Sequence, residues 1–424
     1  MQKPVSPPSA PPARFALGIG EFVTLIALLM AIPALGIDIM LPVLPDIAAS
    51  YQVASANDRQ LVVTAFMLGF AVGQPFYGPL SDRFGRKPIM VVGLLIFALG
   101  AAGAVIAPSF EALLAARALQ GVGAAAMRVI TLTVVRDRFA GREMARIMSF
   151  IILVFIMVPM LAPSLGTLVA RVGGWPWIFG FLLVAGLAAL TWMLVRLPET
   201  QAPEDRMPLS PAAIGGAVAF VVTNREAMGY TVAGGFMFGG IMSYVGSSQQ
   251  IFVDVYGLGD LFPIVFGGIA GVMAVATLLN ARLVGRLGMR RVSHAALLVF
   301  LAACGAMALA GFPPAPPLPV LLGFLGLAFF CNTLMMPNFN AIAMQPVGHI
   351  AGTASSFMGF YGTAAGAGVG WLIGQAFDGT LRPLVIGYTV LGLLTLATVL
   401  VTERGRLMRR TERPGGQPAP DMGH

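Results

Sequence analysis

The sequence predicts an all-α membrane protein of twelve transmembrane helices, arranged as two six-helix, pseudo-symmetric halves. Three observations carry that expectation. The 424-residue chain is 57% hydrophobic and 10% charged, with a mean hydropathy of +0.85. Soluble domains hold about 45–50% apolar and about 25% charged residues. The apolar residues fall in runs of the roughly 20 that a helix needs to cross a hydrocarbon core about 30 Å thick. Finally, the charged string GPLSDRFGRKP at 78–88 returns in weaker form as LVGRLGMRR at 283–291. Arg83 then falls on Arg286, Gly85 on Gly288 and Lys87 on Arg290, while Asp82 becomes Gly285. A charged turn repeated between apolar segments marks a duplicated bundle whose halves can rock about their seam.

A Pro-rich, disordered lead is expected at 1–18, with no cleavable signal peptide. The first six-helix bundle, 19–197, holds spans near 19–43, 58–79, 89–107, 111–134, 146–169 and 175–196. The polar stretch PETQAPEDRMPLSP opens a linker at 198–226, with a short interfacial helix expected around 211–223. The second bundle, 227–402, holds spans near 229–251, 262–281, 293–312, 318–341, 353–376 and 383–401, and a basic, Gly/Pro-rich tail fills 403–424. Strands do not fit, because the runs are long, lack alternation and carry Gly and Ala at helical spacing.

A net charge of +8 suggests nucleic acid until its placement is read. Of the 26 basic residues, only Arg59, Arg171 and Arg382 fall in segments on one side, and Arg117 and Arg128 lie inside a span. The rest share the side of the two termini. This is the positive-inside asymmetry, and it puts both termini in the cytoplasm. No nucleic-acid partner is expected, and the lipid bilayer is the surrounding medium. Cys304 and Cys331 fall within spans as small apolar residues, and His294, His349 and His424 are scattered, so neither a disulfide framework nor a metal cluster is visible. No cofactor is expected.

Polar residues inside spans are costly unless partnered or facing water, so they point to function. In span 4, Arg117, Gln120, Arg128 and Thr131 form one stripe at a helical period of about 3.6 residues. Ser243, Ser247, Gln250 and Asp254 do the same on span 7. Span 10 carries Asn332 and Asn340 with Met336 between them, and span 1 carries Asp38. Spans 1, 4, 7 and 10 hold equivalent places in each group of three helices, and a water-filled cavity shared by the four explains all the stripes.

At this point the chain resembles the major facilitator superfamily, and within it the drug:proton antiporters of the Bcr/CflA type, over nearly its whole length. The string at 78–88 is similar to the superfamily loop pattern. RALQGVGAAA at 117–126 resembles the span-4 motif of proton-coupled members, and VPMLAPSLG at 158–166 the span-5 antiporter motif. DIMLPVLPDIA at 38–48 and HIAGTASS at 349–356 resemble the branch's span-1 stretch and its entry to span 11. The run Gly174-Trp175-Pro176-Trp177 departs from the pattern, with Pro where Arg is usual. So does the second loop copy, which lacks the acidic residue, and the pattern does not demand Arg128. The resemblance implies the major facilitator fold, a bacterial inner-membrane location, a monomer, and export of small amphipathic drugs or metabolites in exchange for protons.

Each motif has a plain reading beside its functional one. Gly78, Asp82, Arg83, Gly85 and Arg86 form a cytoplasmic latch, with Asp82 at the N-terminus of span 11 or paired with Arg86, or they are ordinary topogenic charge. Asp38 and Arg117 lie at similar depth. They are a proton-carrying carboxylate and its electrostatic partner, or a static ion pair. Pro159 and Pro163, with Gly166 beyond, make a pliable seam helix that limits leak, or a passive kink. Arg128, about 16 Å beyond Arg117, meets substrate in the cavity or snorkels. Gln250, Asn332 and Asn340 bind substrate or glue helices together. The main reading is a proton-coupled exporter working by alternating access. The rivals are a proton-coupled importer of a charged metabolite on the same fold and a non-transporting receptor. No nucleophile–base pair or nucleotide motif supports an enzyme or ATP-driven pump.

Overall fold

A computed structural model of the chain describes residues 17–139, 141–206, 209–311 and 314–409. Most of the expected lead and tail lies outside these residues. Helix α1 spans Ile19–Asp38. It ends there because Pro42 has no N–H to give the Asp38 carbonyl and its ring crowds that carbonyl. A 3-10 turn, Leu41–Val43, and a short helix α2, Leu44–Ser50, follow. The first span, expected to run on to 43, therefore breaks directly after Asp38.

A 3-10 turn at Ala56–Gln60 leads into α3, Leu61–Phe84. Then come α4, Arg86–Val105, α5, Phe110–Arg138, α6, Gly141–Gly173, and α7, Pro176–Arg196. Ser109 caps α5, its hydroxyl accepting from the Ala112 N–H at 3.2 Å. The linker carries α8, Pro211–Thr223. Asn224 caps α9, Arg225–Gln249, which runs into a π-helical turn at Gln250–Val255. The second group ends with α10, Phe262–Leu287, α11, Met289–Leu309, α12, Leu318–Met344, α13, Ala351–Gln375, and α14, Arg382–Thr402.

Among the described residues nine helical segments are long and apolar enough to cross a membrane. Helices α6, α9 and α13 complete the set of twelve long helices. The shortfall in α9 and α13 has a packing cause. Their buried residues include Gly235, Gly239, Gly240, Ser243 and Ser247 on α9, and Gly366, Gly370 and Gly374 on α13. Small residues let backbones approach in lipid, and they lower hydropathy as they do so. Helix α9 packs on α13, and α3 crosses the seam to α13 as α6 does to α10.

The charged repeat sits in helix ends rather than loops. Asp82 and Arg83 belong to the last turn of α3, and a single glycine links α3 to α4 and α10 to α11. Gly85 and Gly288 have φ of 101° and 83°, a backbone that disfavours any side chain. Glu199 of the linker accepts from the Arg86 and Lys87 N–H groups at 3.0 and 3.1 Å, which satisfies the start of α4. The second half builds a matching charge cluster. Arg290 donates to Glu403 at 2.7 Å and pairs with Glu226, and the Tyr230 hydroxyl donates to Glu403 at 2.8 Å. Burial pushes the Glu403 carboxyl up, but the Arg290 and Tyr230 hydrogen bonds outweigh it and hold it below its ordinary value. The stability this contributes is present above that ordinary value and fades as pH falls through the lowered one.

Candidate functional site

Asp38 is 6% exposed at the break after α1. Among the described residues its carboxylate has no hydrogen-bond or ion-pair partner. The span-5 motif supports this break from the side. A Cβ added at Gly166 lies 1.8 Å from the Ile39 carbonyl oxygen, so only glycine lets α6 press on the residue after Asp38. Pro159 and Pro163 lie within α6, where each removes a helix hydrogen bond. Between them the Met160 carbonyl faces Gly267 of α10, whose added Cβ would lie 2.9 Å away. The motif thus touches the Asp38 break on one side and the second half on the other.

The expected meeting of Arg117 with Asp38 takes a different form. Arg117 is 0% exposed and donates to the carbonyls of Val62 at 3.2 Å and Gly36 at 2.9 Å, and to the Gln120 side-chain oxygen. Its guanidinium lies 4.5 Å from the Phe66 ring centre and 5.7 Å from that of Phe179. A buried guanidinium needs acceptors for its fork of donors, and nearby backbone carbonyls and two aromatic faces supply them without a carboxylate. Arg117 therefore fixes the end of α1 through the Gly36 carbonyl, two residues before Asp38. Arg128, by contrast, is exposed, while Gln120 and Thr131 of the same stripe are buried.

The stripe on span 7 serves two purposes. Ser243 donates to the Gly240 carbonyl at 2.8 Å within α9, and Ser247 is buried. Gln250 instead joins a network across the seam at the end of the bundle away from the termini. It donates to the Asn57 side-chain oxygen at 2.7 Å and accepts from Gln60, while Asp254 pairs with Arg59. Asn57 also donates to the Gln375 and Phe377 carbonyls at 3.0 and 2.8 Å, and Gln60 to the Gly374 carbonyl at 3.2 Å. Gln250 is thus an interhelical tie in this structure. Sequence reading missed Asn57, Arg59 and Gln60. The visible signal was ANDRQ, a polar run just before a span on the side where cations are few.

On span 10, Asn332 donates to the Met237 carbonyl at 2.9 Å, leaving its side-chain oxygen buried and unpaired. Met336 is half-buried and Asn340 exposed. Of the four stripes, Arg128, Asp254 and Asn340 are exposed. Gln120, Ser243, Ser247, Gln250 and Asn332 are closed against neighbouring helices, with exposures of 5% or less.

At the end near the termini, Asp82 pairs with Arg86 rather than with the start of α13. Arg86 also donates to Asp137 at 3.1 Å, and Arg83 is exposed over Phe84. Contact with α13 comes instead from Gly78, whose added Cβ lies 3.0 Å from the Ser356 hydroxyl, and from Gln74, which donates to Thr363 at 2.9 Å. The Asp82 side chain is 41% exposed, so its pairing is worth about 0.2–1 kcal/mol. Asp82→Asn is expected to shift the balance of open and closed forms at this end by less than about fivefold. Distances between labels on α3 and α13 check this, and a shift beyond tenfold contradicts it.

The family model of the Major Facilitator Superfamily matches residues 26–371. The chain is 32% identical over 372 residues to a bicyclomycin resistance protein homolog of Haemophilus influenzae, covering 86% of this chain and 91% of that one. It is 34% identical over 200 residues to multidrug resistance protein D of Escherichia coli, covering 46% of this chain and 50% of that one. Among solved structures, the human organic anion transporter MFSD10 (TETRAN) superposes with a TM-score of 0.69 at 21% identity, covering 93% of this chain and 100% of that one. The long helices, the repeated glycine-linked turn and the seam packing all agree with that fold, and the chain is a multi-pass membrane protein of the Major Facilitator Superfamily.

Proposed function

We propose that the protein exports small amphipathic compounds across a bacterial inner membrane in exchange for protons, by alternating access. It acts as a monomer with both termini in the cytoplasm. The observation that carries this reading is Asp38, a carboxylate buried at a helix break with no partner, beside the glycine that seats α6. A buried charge without a partner is expensive, so the site favours taking up a proton or a cation and releasing one for the other. The break supplies the hinge, since a chain without continuous helix hydrogen bonds bends at low cost. The network of Asn57, Arg59 and Gln60 with Gln250 and Asp254 closes the distal end, and alternation requires that it part. The drug-resistance names of two relatives favour export.

Proteoliposomes carrying the purified chain, an imposed pH gradient and a panel of amphipathic compounds test this. Proton-driven accumulation of at least one compound is expected, and its absence for the whole panel contradicts the reading. Topology has its own check. Cysteines at Ser109 and Gly379 are expected to react with an impermeant reagent in intact cells, and one at Ser210 is expected not to. Labelling at Ser210 overturns the orientation.

A further inference from the structure

Beyond α14 the chain turns back onto the start of α11, and two bonds tie the return. The Met408 N–H donates to Nδ1 of the His294 ring at 3.0 Å, and Arg291 donates to the Met408 carbonyl at 3.4 Å. Met408 has a φ of 60°, a left-handed backbone that a methionine rarely adopts. The two bonds therefore hold this residue against its own conformational preference.

The bond from Met408 fixes the state of the ring. Nδ1 accepts, so its lone pair is in use and the single proton of the ring sits on Nε2. Nε2 then donates to the Tyr230 oxygen at 3.0 Å, and the Tyr230 hydroxyl donates onward to Glu403 at 2.8 Å. His294 and Tyr230 are each 1% exposed and Glu403 is 5% exposed, so the chain of bonds is shielded from water. A second proton has only Nδ1 to go to, where it meets the Met408 N–H head-on.

The surroundings suit such a proton. Glu226 and Glu403 face a single buried guanidinium, Arg290, and the neighbouring Arg291 is turned to the Met408 carbonyl. Arg404 and Arg406 beyond α14, and Arg282 and Arg286 of α10, are exposed. Helix α12 sets Phe339 against Tyr230 at 5.4 Å and carries no charged residue. Two carboxylates against one buried cation leave this cluster short of one positive charge.

We propose that His294 is a proton-binding site at the end of the molecule that carries the termini, and that its proton displaces the segment after α14. This goes beyond the exporter reading and does not rest on it. The proton and the Met408 amide compete for one lone pair, so each excludes the other. Docking of the segment is favoured while the ring is neutral. It weakens by about tenfold per pH unit below the value of the undocked ring, ordinarily about 6.5.

Amide hydrogen exchange in the purified full-length chain tests this. From about pH 7.5 to about pH 5.5, with the chemical exchange rate corrected for pH, protection of the Met408 amide is expected to fall about tenfold. Glu403 does not titrate in that interval, because its carboxyl, pushed up by burial, is held lower still by Arg290 and Tyr230. His294→Asn offers Met408 an amide oxygen and does not titrate, so its protection is expected to stay within twofold. The His294 ring of the wild type, followed by NMR, is expected to take its proton over the same interval. Equal protection of the wild type at both pH values, a tenfold fall in His294→Asn, or a ring that stays neutral while the segment loosens overturns the proposal.

Discussion

Asp38→Asn is expected to reduce proton-driven export to background while the protein still folds and inserts. Asparagine keeps the size of the side chain and its hydrogen-bonding reach but does not titrate. Folding should tolerate the change, because the carboxylate has no partner among the described residues to lose. Removing an unpaired buried charge relieves strain rather than adding it. Asp254 offers no substitute. It is tied to Arg59 in the distal network, and its side chain is 45% exposed rather than buried at the Asp38 break. Transport assays at matched membrane levels check this. Export by Asp38→Asn at the wild-type rate removes Asp38 from the mechanism.

Gly166→Val is expected to abolish transport and to lower stability by about 1–3 kcal/mol through overpacking. The clash is with backbone. The added Cβ meets the Ile39 carbonyl oxygen at 1.8 Å and its carbon at 2.9 Å, and no rotamer change relieves it. Either α6 moves off the Asp38 break or the break itself distorts. Gly268→Ala on α10 is the control, because nothing lies within 4 Å of its added Cβ. Yield, melting temperature and transport measured side by side separate the two. Normal transport in Gly166→Val contradicts the coupling of α6 to the break.

Much of the fold was legible from elementary constraints. Run length and hydropathy gave the number and order of the long helices. The glycine repeat identified Gly85 and Gly288, because a one-residue link at positive φ leaves little alternative. The break after Asp38 was equally present in the sequence, as Pro42 four residues on. It was missed because hydropathy does not register a lost hydrogen bond. The ends of α3 and α10 were set too early for the opposite reason: charge was taken as the end of a helix, whereas amphipathic turns carry helices past the lipid.

The site was legible by residue type more than by partner. Asp38, Arg117 and Gly166 stood out as polar or small residues in apolar surroundings. Their partners depend on which helices touch, which no local pattern encodes. Arg117 thus binds carbonyls of α1 and α3 rather than Asp38, and Gln250 ties the seam to Asn57 and Gln60.

Coupled flux is the most direct test of the account. Proteoliposomes holding the wild-type chain and a pH-sensitive dye inside are given a compound that the chain exports, with no imposed gradient. The account predicts proton movement opposite to the compound, in fixed ratio to it, and absent in Asp38→Asn. Compound flux with no proton movement in the wild type, or proton movement that persists in Asp38→Asn, contradicts it.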